Sequence, residues 1–238
     1  FVRLIMNILI TGAEGQLGRS FQKISQYNVK HNFLFTDLPE TDITDKKTLN
    51  TLVKKHTVDA IINCAAYTAV DKAETEKELA YHINTNGPKV LAEVSKENDL
   101  KLFHISTDYV FDGTSTAPIK ESYPTNPKGV YGQSKLEGEM AIASSGCDAV
   151  IIRTAWLYSE FGNNFVKTML RLGKERDILS VVYDQVGTPT YATDLALAVM
   201  QILENGFKGY NMYHYSNEGV LSWYDFAYEI FALSGVKV

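Results

Sequence analysis

The feature that most constrains the fold is a regular alternation of short apolar runs with amphipathic stretches, which continues to residue 156. The apolar runs, which we predict as buried strands, span residues 7–10, 32–36, 58–63, 101–105 and 149–153. Between them, apolar residues recur at helical spacing in residues 15–24, 44–56, 75–98 and 134–144. Buried strands separated by helices are typical of a parallel sheet covered on both sides. We therefore predict an α/β fold with a doubly wound, Rossmann-like parallel sheet.

The pattern changes after residue 156. Aromatic and Asn/Gly-rich segments are interrupted there by predicted helices near 163–173, 193–204 and 222–234. We predict a Rossmann-like domain over 6–156 and a smaller substrate-binding region over 157–238, folded with the first as one unit. Residues 1–5 precede the first strand pattern, and we leave them out of the fold prediction.

The composition excludes several classes of partner. The 238-residue chain carries 23 basic and 28 acidic residues, a net charge of −5, so we expect no general attraction for nucleic acid or for an anionic membrane. No apolar run has the length that a membrane-spanning helix needs. The two cysteines have no metal-site spacing, so we predict neither a disulfide framework nor a cysteine zinc site and expect a cytoplasmic location. A small molecule is the expected partner.

A glycine-rich turn follows the first predicted strand. Gly12, Gly15 and Gly18 form a G-x-x-G-x-x-G pattern. In a turn between strand and helix, such glycines allow a tight corner, close approach of backbone N–H groups to a pyrophosphate, and packing of helix on strand. A glycine triplet alone is a weak signal, but its place after the first strand of an alternating chain favours dinucleotide binding.

Two charged residues give opposite indications about the cofactor. Asp37 ends the second predicted strand, where a carboxylate can accept a hydrogen bond from an adenosine ribose 2′-OH, which favours NADH. Arg19 lies where a guanidinium could bind the 2′-phosphate of NADPH. We therefore expect the chain to use both cofactors, although Asp37 could also be a solvated turn residue.

Three further residues suggest carbonyl reduction. Tyr131 and Lys135 have the Y-x-x-x-K spacing, which places a phenol and an ammonium on one face of a helix. A nearby cation lowers the pKa of a phenol, which suits it to acid/base work. Thr107 follows a predicted strand, where its hydroxyl could hydrogen-bond a carbonyl oxygen as charge develops on it. Each signal is common by itself, but together behind a dinucleotide turn they predict a reductase site.

These residues resemble the extended short-chain dehydrogenase/reductase superfamily, and longer strings resemble its dTDP-4-dehydrorhamnose reductase family. The strings are TGAEGQLG at 11–18, NCAAYTAVD at 63–71, STDYVFDG at 106–113 and DQVGTPT at 184–190. The resemblance covers residues 6 to 235. It implies that 6–156 bind NAD(P), and that the chain reduces the C4 ketone of dTDP-4-dehydro-L-rhamnose with NADPH or NADH, the last step of dTDP-L-rhamnose synthesis.

The resemblance also assigns roles to individual residues. It gives the catalytic positions to Thr107, Tyr131 and Lys135. It places cofactor contacts, besides the glycine turn, Tyr131 and Lys135, at Gln16, Leu17, Asp42, Ile43, Ala65, Ala66 and Tyr67, which adds to the Asp37 contact predicted above from its position. Thr107, Asp108 and Trp156 match substrate positions, where the indole of Trp156 could stack on the sugar; it could equally be a core aromatic residue.

The resemblance has one departure and leaves the assembly open. Family members are usually longer, so the resemblance implies that the substrate region is truncated at Val238 and would be completed beyond it. Some members are described as Mg²⁺-bridged dimers with a ligand in that tail. Mg²⁺ is compatible with the family, but this sequence supports no metal site, and we expect a monomer or a homodimer.

Three other functions share this scaffold, and the first of them fits less well. Sugar-nucleotide 4,6-dehydratases typically carry Thr-Asp-Glu after the strand, with the two acids as a catalytic pair. Here Tyr109 follows Thr107 and Asp108, so that pair is incomplete and a reductase fits better. A nucleotide-sugar epimerase or another reductase would use the same three catalytic residues. The regulatory β subunit of methionine adenosyltransferase also resembles this family, so a non-catalytic binding role is the third alternative.

Overall fold

A parallel sheet forms the centre of the fold in the computed structural model, which describes residues 5–27 and 30–237. Residues 1–4 of the segment left out of the fold prediction, and Val238 at the end of the predicted second region, lie outside the described residues. The strands, numbered in chain order, are β1 (Asn7–Thr11), β2 (Asn32–Thr36), β3 (Ala60–Asn63), β4 (Lys101–Thr107), β5 (Ala149–Thr154), β6 (Leu157–Tyr158), β7 (Val186–Gly187), β8 (Thr190–Tyr191), β9 (Tyr210–His214) and β10 (Leu221–Ser222).

The main sheet has six strands in the order β2-β1-β3-β4-β5-β9, and every neighbouring pair is parallel. β1 pairs with β2 on one side and with β3 on the other, so the direction of winding reverses at β1. In open α/β sheets, ligands bind outside the carboxyl ends of the strands at such a reversal. The topology thus confirms the predicted doubly wound fold and indicates which edge carries the site.

Helices cover both faces of this sheet. They are α1 (Gln16–Ser25), α2 (Lys46–Lys55), α3 (Val70–Ala73), α4 (Lys77–Tyr81), α5 (Gly87–Glu97), α6 (Val130–Ser145), α7 (Phe165–Glu175), α8 (Ala192–Asn205) and α9 (Trp223–Ser234). Successive strand residues point to opposite faces. Ile8 and Ile10 therefore join the core under α1 and α8, whereas Leu9 joins the core under α2, α5 and α6.

The helix predicted over 75–98 is interrupted. A π-helical turn (His82–Asn86) separates α4 from α5. Such turns widen a helix locally and are frequent at functional sites. Here the turn contains Asn84, a buried residue whose side chain bonds to neighbouring segments rather than to solvent.

Two elements from the predicted second region are part of the main sheet and of the helices that cover it. β9 pairs with β5 as the sixth strand, and α8 packs on α1. β6 with β8 and β7 with β10 form two small sheets, of which the first contacts α8 and the second contacts α9. The assignment of this remaining part to substrate binding stays a prediction. No helix within the described ranges combines the length and the apolar character that crossing a membrane requires.

Candidate active site

The glycine turn between β1 and α1 has the geometry of a phosphate-binding corner. Gly12 has a φ of +67°, and a Cβ there would lie 2.5 Å from the backbone nitrogen of Ala65. A larger residue is therefore excluded both by backbone conformation and by space. A Cβ at Gly18 would collide with the carbonyl oxygen of Gly12, so the close packing of α1 on the turn requires glycine at this position.

The amino terminus of α1 is open at this turn. Gly15 is its N-cap residue and is exposed, and no side chain of the described residues caps the helix there. The first-turn N–H groups of a helix lack intrahelical partners and carry the positive end of its dipole. The corner is therefore suited to an anion such as a pyrophosphate.

Asp37 and Arg19 both lie at this corner. Asp37 accepts a hydrogen bond through Oδ2 from the Glu14 N–H at 2.8 Å. The Arg19 guanidinium forms an exposed ion pair with the Glu14 carboxylate at 2.7 Å. A carboxylate and a guanidinium are thus available to the same ligand, and Arg19 would have to leave Glu14 to bind a 2′-phosphate.

The loop after β3 lies close to the glycine turn, and hydrogen bonds from the loop's own backbone N–H groups hold it in place. The Ala65 N–H donates to Asn63 Oδ1 at 3.1 Å, and the Tyr67 N–H donates to Asn84 Oδ1 at 2.8 Å. Asn84 Nδ2 in turn donates to the Tyr67 carbonyl and to Ser134 Oγ on α6. Asn84, within the π-helical turn, therefore joins the loop to the helix that carries Tyr131.

Several predicted cofactor residues have side chains that are already engaged. Leu17 and Ile43 belong to the two core clusters, so only their backbone atoms could reach a ligand. Asp42 accepts from the N–H and hydroxyl of Thr44 in a local turn. The Tyr67 hydroxyl donates to Glu76 at 2.7 Å, and this bond raises the pKa of Tyr67 to about 12.

The structure brings Thr107 and Tyr131 together. Thr107 ends β4, and Tyr131 lies in the first turn of α6. The Thr107 side chain lies beside the Tyr131 phenol, while the Thr107 hydroxyl donates to Asp108 Oδ1 and accepts from the Tyr109 N–H, each at 3.2 Å. Gly132 makes this approach possible, since a Cβ there would collide with the Tyr109 carbonyl oxygen. The ring of Tyr109 packs edge-on against that of Tyr131 at 5.5 Å between centroids.

Burial controls the protonation of the Tyr131 phenol. It raises the pKa of Tyr131 to about 12, with the Thr107 side chain acting in the opposite direction. From the sequence we expected Lys135 to lower this pKa, whereas burial is the largest effect on it and raises it. A protonated phenol is nevertheless the form that a proton donor needs. Burial also raises the pKa of the neighbouring Asp108 carboxyl.

Lys135 lies one turn after Tyr131 and is only 2% exposed. Its Nζ donates to the Ile105 carbonyl at 2.6 Å and lies 3.3 Å from His104 Nε2. Burial lowers the pKa of Lys135 to about 8, and the carboxylate of Glu139 opposes that shift. The amine can therefore change its charge near neutral pH.

A buried ion pair supports the end of β4. Arg153 makes two hydrogen bonds to the Glu139 carboxylate, at 2.9 and 2.6 Å, and Ser106 Oγ donates to the same carboxylate at 2.5 Å. These groups tie β4, β5 and α6 together directly beside Thr107. At the other end of the site, Glu74 accepts from the Val130 N–H and so caps α6.

Gln16 and Trp156 contact the predicted substrate region. Gln16 Oε1 accepts from Ser159 Oγ and from Asn164 Nδ2, the N-cap residue of α7. Trp156 has a φ of +49° and stacks on Trp223 with 3.4 Å between ring centroids. A sugar could use that face of Trp156 only if Trp223 moved, so sugar stacking stays a prediction.

Sequence reasoning missed the residues that support the site. Asn63, Asn84, His104 and Glu139 are all buried polar residues that bond to predicted site segments. Two of them carried a signal: Asn63 ends an apolar strand run, and His104 interrupts another. A polar residue inside an apolar strand indicates a buried partner, but the partner itself cannot be read from the sequence.

Comparison with known proteins gives consistent matches over the whole chain. Residues 6–238 match the family model described as the RmlD substrate binding domain. A dTDP-4-dehydrorhamnose reductase from Aggregatibacter actinomycetemcomitans is 46% identical over 228 residues, covering 94% of this chain and 78% of the relative. A dTDP-4-keto-6-deoxy-D-glucose reductase from Streptomyces niveus is 38% identical, covering 95% of this chain and 78% of the relative.

A solved structure shows the same fold. The crystal structure of dTDP-4-dehydrorhamnose reductase from Bacillus anthracis in complex with NADP superposes with a TM-score of 0.92 at 41% sequence identity. The match covers 98% of this chain and 82% of that one. The similarity extends over both the sheet and the smaller region.

Proposed function

The chain belongs to the RmlD substrate binding domain family, and we propose that it reduces the C4 ketone of dTDP-4-dehydro-L-rhamnose to dTDP-L-rhamnose. NADPH or NADH is the reductant. The observation that carries this proposal is that Thr107 and Tyr131 lie side by side at the carboxyl edge of the sheet, next to an open phosphate-binding corner.

The residues present fit a dinucleotide. The space at Gly12 would be filled by any Cβ, and α1 begins without a side-chain cap from the described residues. The backbone N–H groups of this corner would hold the pyrophosphate. Asp37 and Arg19 lie where they would distinguish the ribose 2′-OH of NADH from the 2′-phosphate of NADPH. Lys135 would lie on the nicotinamide side, because it shares a helix face with Tyr131.

The chemistry then follows from the two hydroxyl groups. The bound cofactor supplies a hydride for the carbonyl carbon, and negative charge develops on the carbonyl oxygen. Thr107 and Tyr131 both donate hydrogen bonds to that oxygen, which stabilises the charge. Tyr131, protonated because burial raises the pKa of its phenol, passes its proton to the oxygen as the alcohol forms. Protonated Lys135 stabilises the phenolate that remains.

A second substrate is supported by one comparison. The Streptomyces niveus relative is named for dTDP-4-keto-6-deoxy-D-glucose, a C4 ketone with the same reacting group. The catalytic residues serve either sugar, so the contacts of the smaller region must distinguish them.

The test is cofactor oxidation in the presence of each keto sugar. We expect oxidation of NADPH or NADH to depend on dTDP-4-dehydro-L-rhamnose. The kcat/KM for this sugar should be at least about tenfold higher than for dTDP-4-keto-6-deoxy-D-glucose, which corresponds to about 1.4 kcal/mol. A higher kcat/KM for the second sugar would instead assign that sugar as the substrate. Binding of the cofactor without oxidation by either sugar would favour the non-catalytic alternative.

A further inference from the structure

A run of hydrogen bonds crosses the sheet beneath the candidate active site. Asn63 Oδ1 accepts from the Thr11 hydroxyl at 2.7 Å and from the Ala65 N–H at 3.1 Å. Asn63 Nδ2 lies 3.0 Å from His104 Nδ1, and His104 Nε2 lies 3.3 Å from Lys135 Nζ. Asn63 and His104 are each 1% exposed, so water does not replace these partners.

The backbone N–H of Ala65 determines which group donates and which accepts in each of these hydrogen bonds. The Ala65 N–H can only donate, so the Asn63 oxygen must face it and the Asn63 NH₂ group must face His104. His104 Nδ1 therefore accepts, and a neutral imidazole carries its one proton on Nε2. Burial lowers the pKa of His104 well below its ordinary value, which keeps the ring neutral. The Nε2–H consequently points at Lys135.

This arrangement matches only one charge state of Lys135. A neutral amine has a lone pair that can accept from Nε2–H, whereas an ammonium has three donors and no acceptor. When Lys135 takes a proton from solvent, Nε2 must become the acceptor, and His104 must carry its proton on Nδ1 instead. Asn63 must then turn its oxygen to His104 and its NH₂ group to Ala65, whose N–H loses its partner.

We propose that Asn63 and His104 are positioning residues that couple the charge of Lys135 to the hydrogen bonding of the Ala65 N–H. In the amine form the N–H is held by Asn63. In the ammonium form it is released at the predicted cofactor loop, where an acceptor of the cofactor could bind it. The proposal rests on the proposed function only for that last role.

Among the described residues, the other charged or titratable groups near Lys135 do not offer it an alternative partner. Glu139, one turn further along α6, is occupied by Arg153 and Ser106. Tyr131, one turn earlier on α6, lies beside Thr107. His104 on β4 is therefore the titratable group that Nζ contacts directly.

The test is the ring tautomer of His104, read from two-bond ¹H–¹⁵N correlations of the uniformly ¹⁵N-labelled 238-residue chain. Spectra are recorded at about pH 6.5 and about pH 9.5, on either side of the lowered lysine pKa. We expect Nδ1–H at the lower pH and Nε2–H at the higher. The same tautomer at both would overturn the coupling.

Two variants isolate the cause. Lys135→Met removes the titrating group and should hold His104 as Nε2–H at both pH values. Asn63→Asp offers His104 only acceptors and should hold it as Nδ1–H at both. A tautomer that still changes with pH in Lys135→Met would also overturn the proposal, even if Asn63→Asp failed to fold.

His31 provides an internal reference. Its Nδ1 accepts from the Met6 N–H at 3.3 Å, and its Nε2 lies 3.1 Å from Glu204, so its tautomer is fixed by contacts remote from Lys135. Its signals should not respond to either variant. The readout requires no turnover, so failure of the coupling and failure of the reductase assignment give different results.

Discussion

The side chain of Thr107 at the end of β4 lies beside the phenol of Tyr131 in the first turn of α6. The two residues are far apart in the sequence, and the crossover from the sheet to α6 brings them together. Two donors directed at one point are what a carbonyl oxygen requires when it gains charge.

Removing one donor should slow the reaction without preventing binding. Thr107→Val keeps the shape of the side chain but loses its hydroxyl, so we expect kcat to fall about 10- to 100-fold, corresponding to one lost hydrogen bond in the transition state. Thr107→Ser keeps the hydroxyl and should stay within about fivefold of the wild type. Steady-state kinetics check both, and equal losses in the two variants would mean that the methyl group matters rather than the hydroxyl.

The contact between α6 and Tyr109 should be intolerant of a single methyl group. In Gly132→Ala the new Cβ would meet the Tyr109 carbonyl oxygen, a backbone atom that cannot rotate away. We expect a loss of about 1–3 kcal/mol in the free energy of unfolding and a fall in kcat, because α6 must shift and Tyr131 with it. Gln133→Ala, at the next position, should change stability by less than about 0.5 kcal/mol. Urea unfolding of the two variants makes the comparison.

The charge of Lys135 predicts how stability depends on pH. Its pKa is about 8 in the folded chain and 10.5 for an ordinary lysine, so between these values the unfolded chain binds more protons. The free energy of unfolding should therefore rise with pH, by about 2 kcal/mol from about pH 7.5 to pH 9.5. Lys135→Met should abolish that rise. A rise that persists in the variant would show that another group causes it.

Cofactor preference should depend on the two charged residues at the glycine corner. We expect NADPH and NADH to bind within about tenfold of each other, or about 1.4 kcal/mol. Asp37→Asn should shift the preference towards NADPH by removing a carboxylate near the 2′-phosphate, and Arg19→Gln should shift it towards NADH. Fluorescence titration measures both; a hundredfold preference in the wild type would exclude dual use.

Much of the fold and part of the site could be predicted from local patterns. The apolar runs predicted β1 to β5, and the glycine spacing predicted the corner at Gly12, because both depend on periodicity and backbone sterics within a short segment. The sixth strand, β9, was not predicted: YNMYH has no continuous apolar run, and its place beside β5 depends on a long-range pairing.

The residues that support the site could not be predicted from local patterns, for the same reason. Asn84 was assigned to a continuous helix, since nothing in its neighbourhood signals the π-helical turn that directs its side chain to Tyr67 and Ser134. The lowered pKa of Lys135 likewise depends on burial by other elements rather than on the Y-x-x-x-K spacing. The spacing predicts that Tyr131 and Lys135 share a face, but not what surrounds them.

The central claim is that Tyr131 donates the proton to the keto sugar, and the most direct measurement is kcat of Tyr131→Phe with dTDP-4-dehydro-L-rhamnose and saturating NADPH. Tyr109→Phe is the matched control, because it removes a neighbouring hydroxyl from the ring that packs on Tyr131. The account predicts that Tyr131→Phe lowers kcat by about 10²–10⁴, as loss of a general acid does, while nucleotide affinity and the Tyr109→Phe rate stay near those of the wild type. Turnover near the wild-type rate in Tyr131→Phe would contradict it.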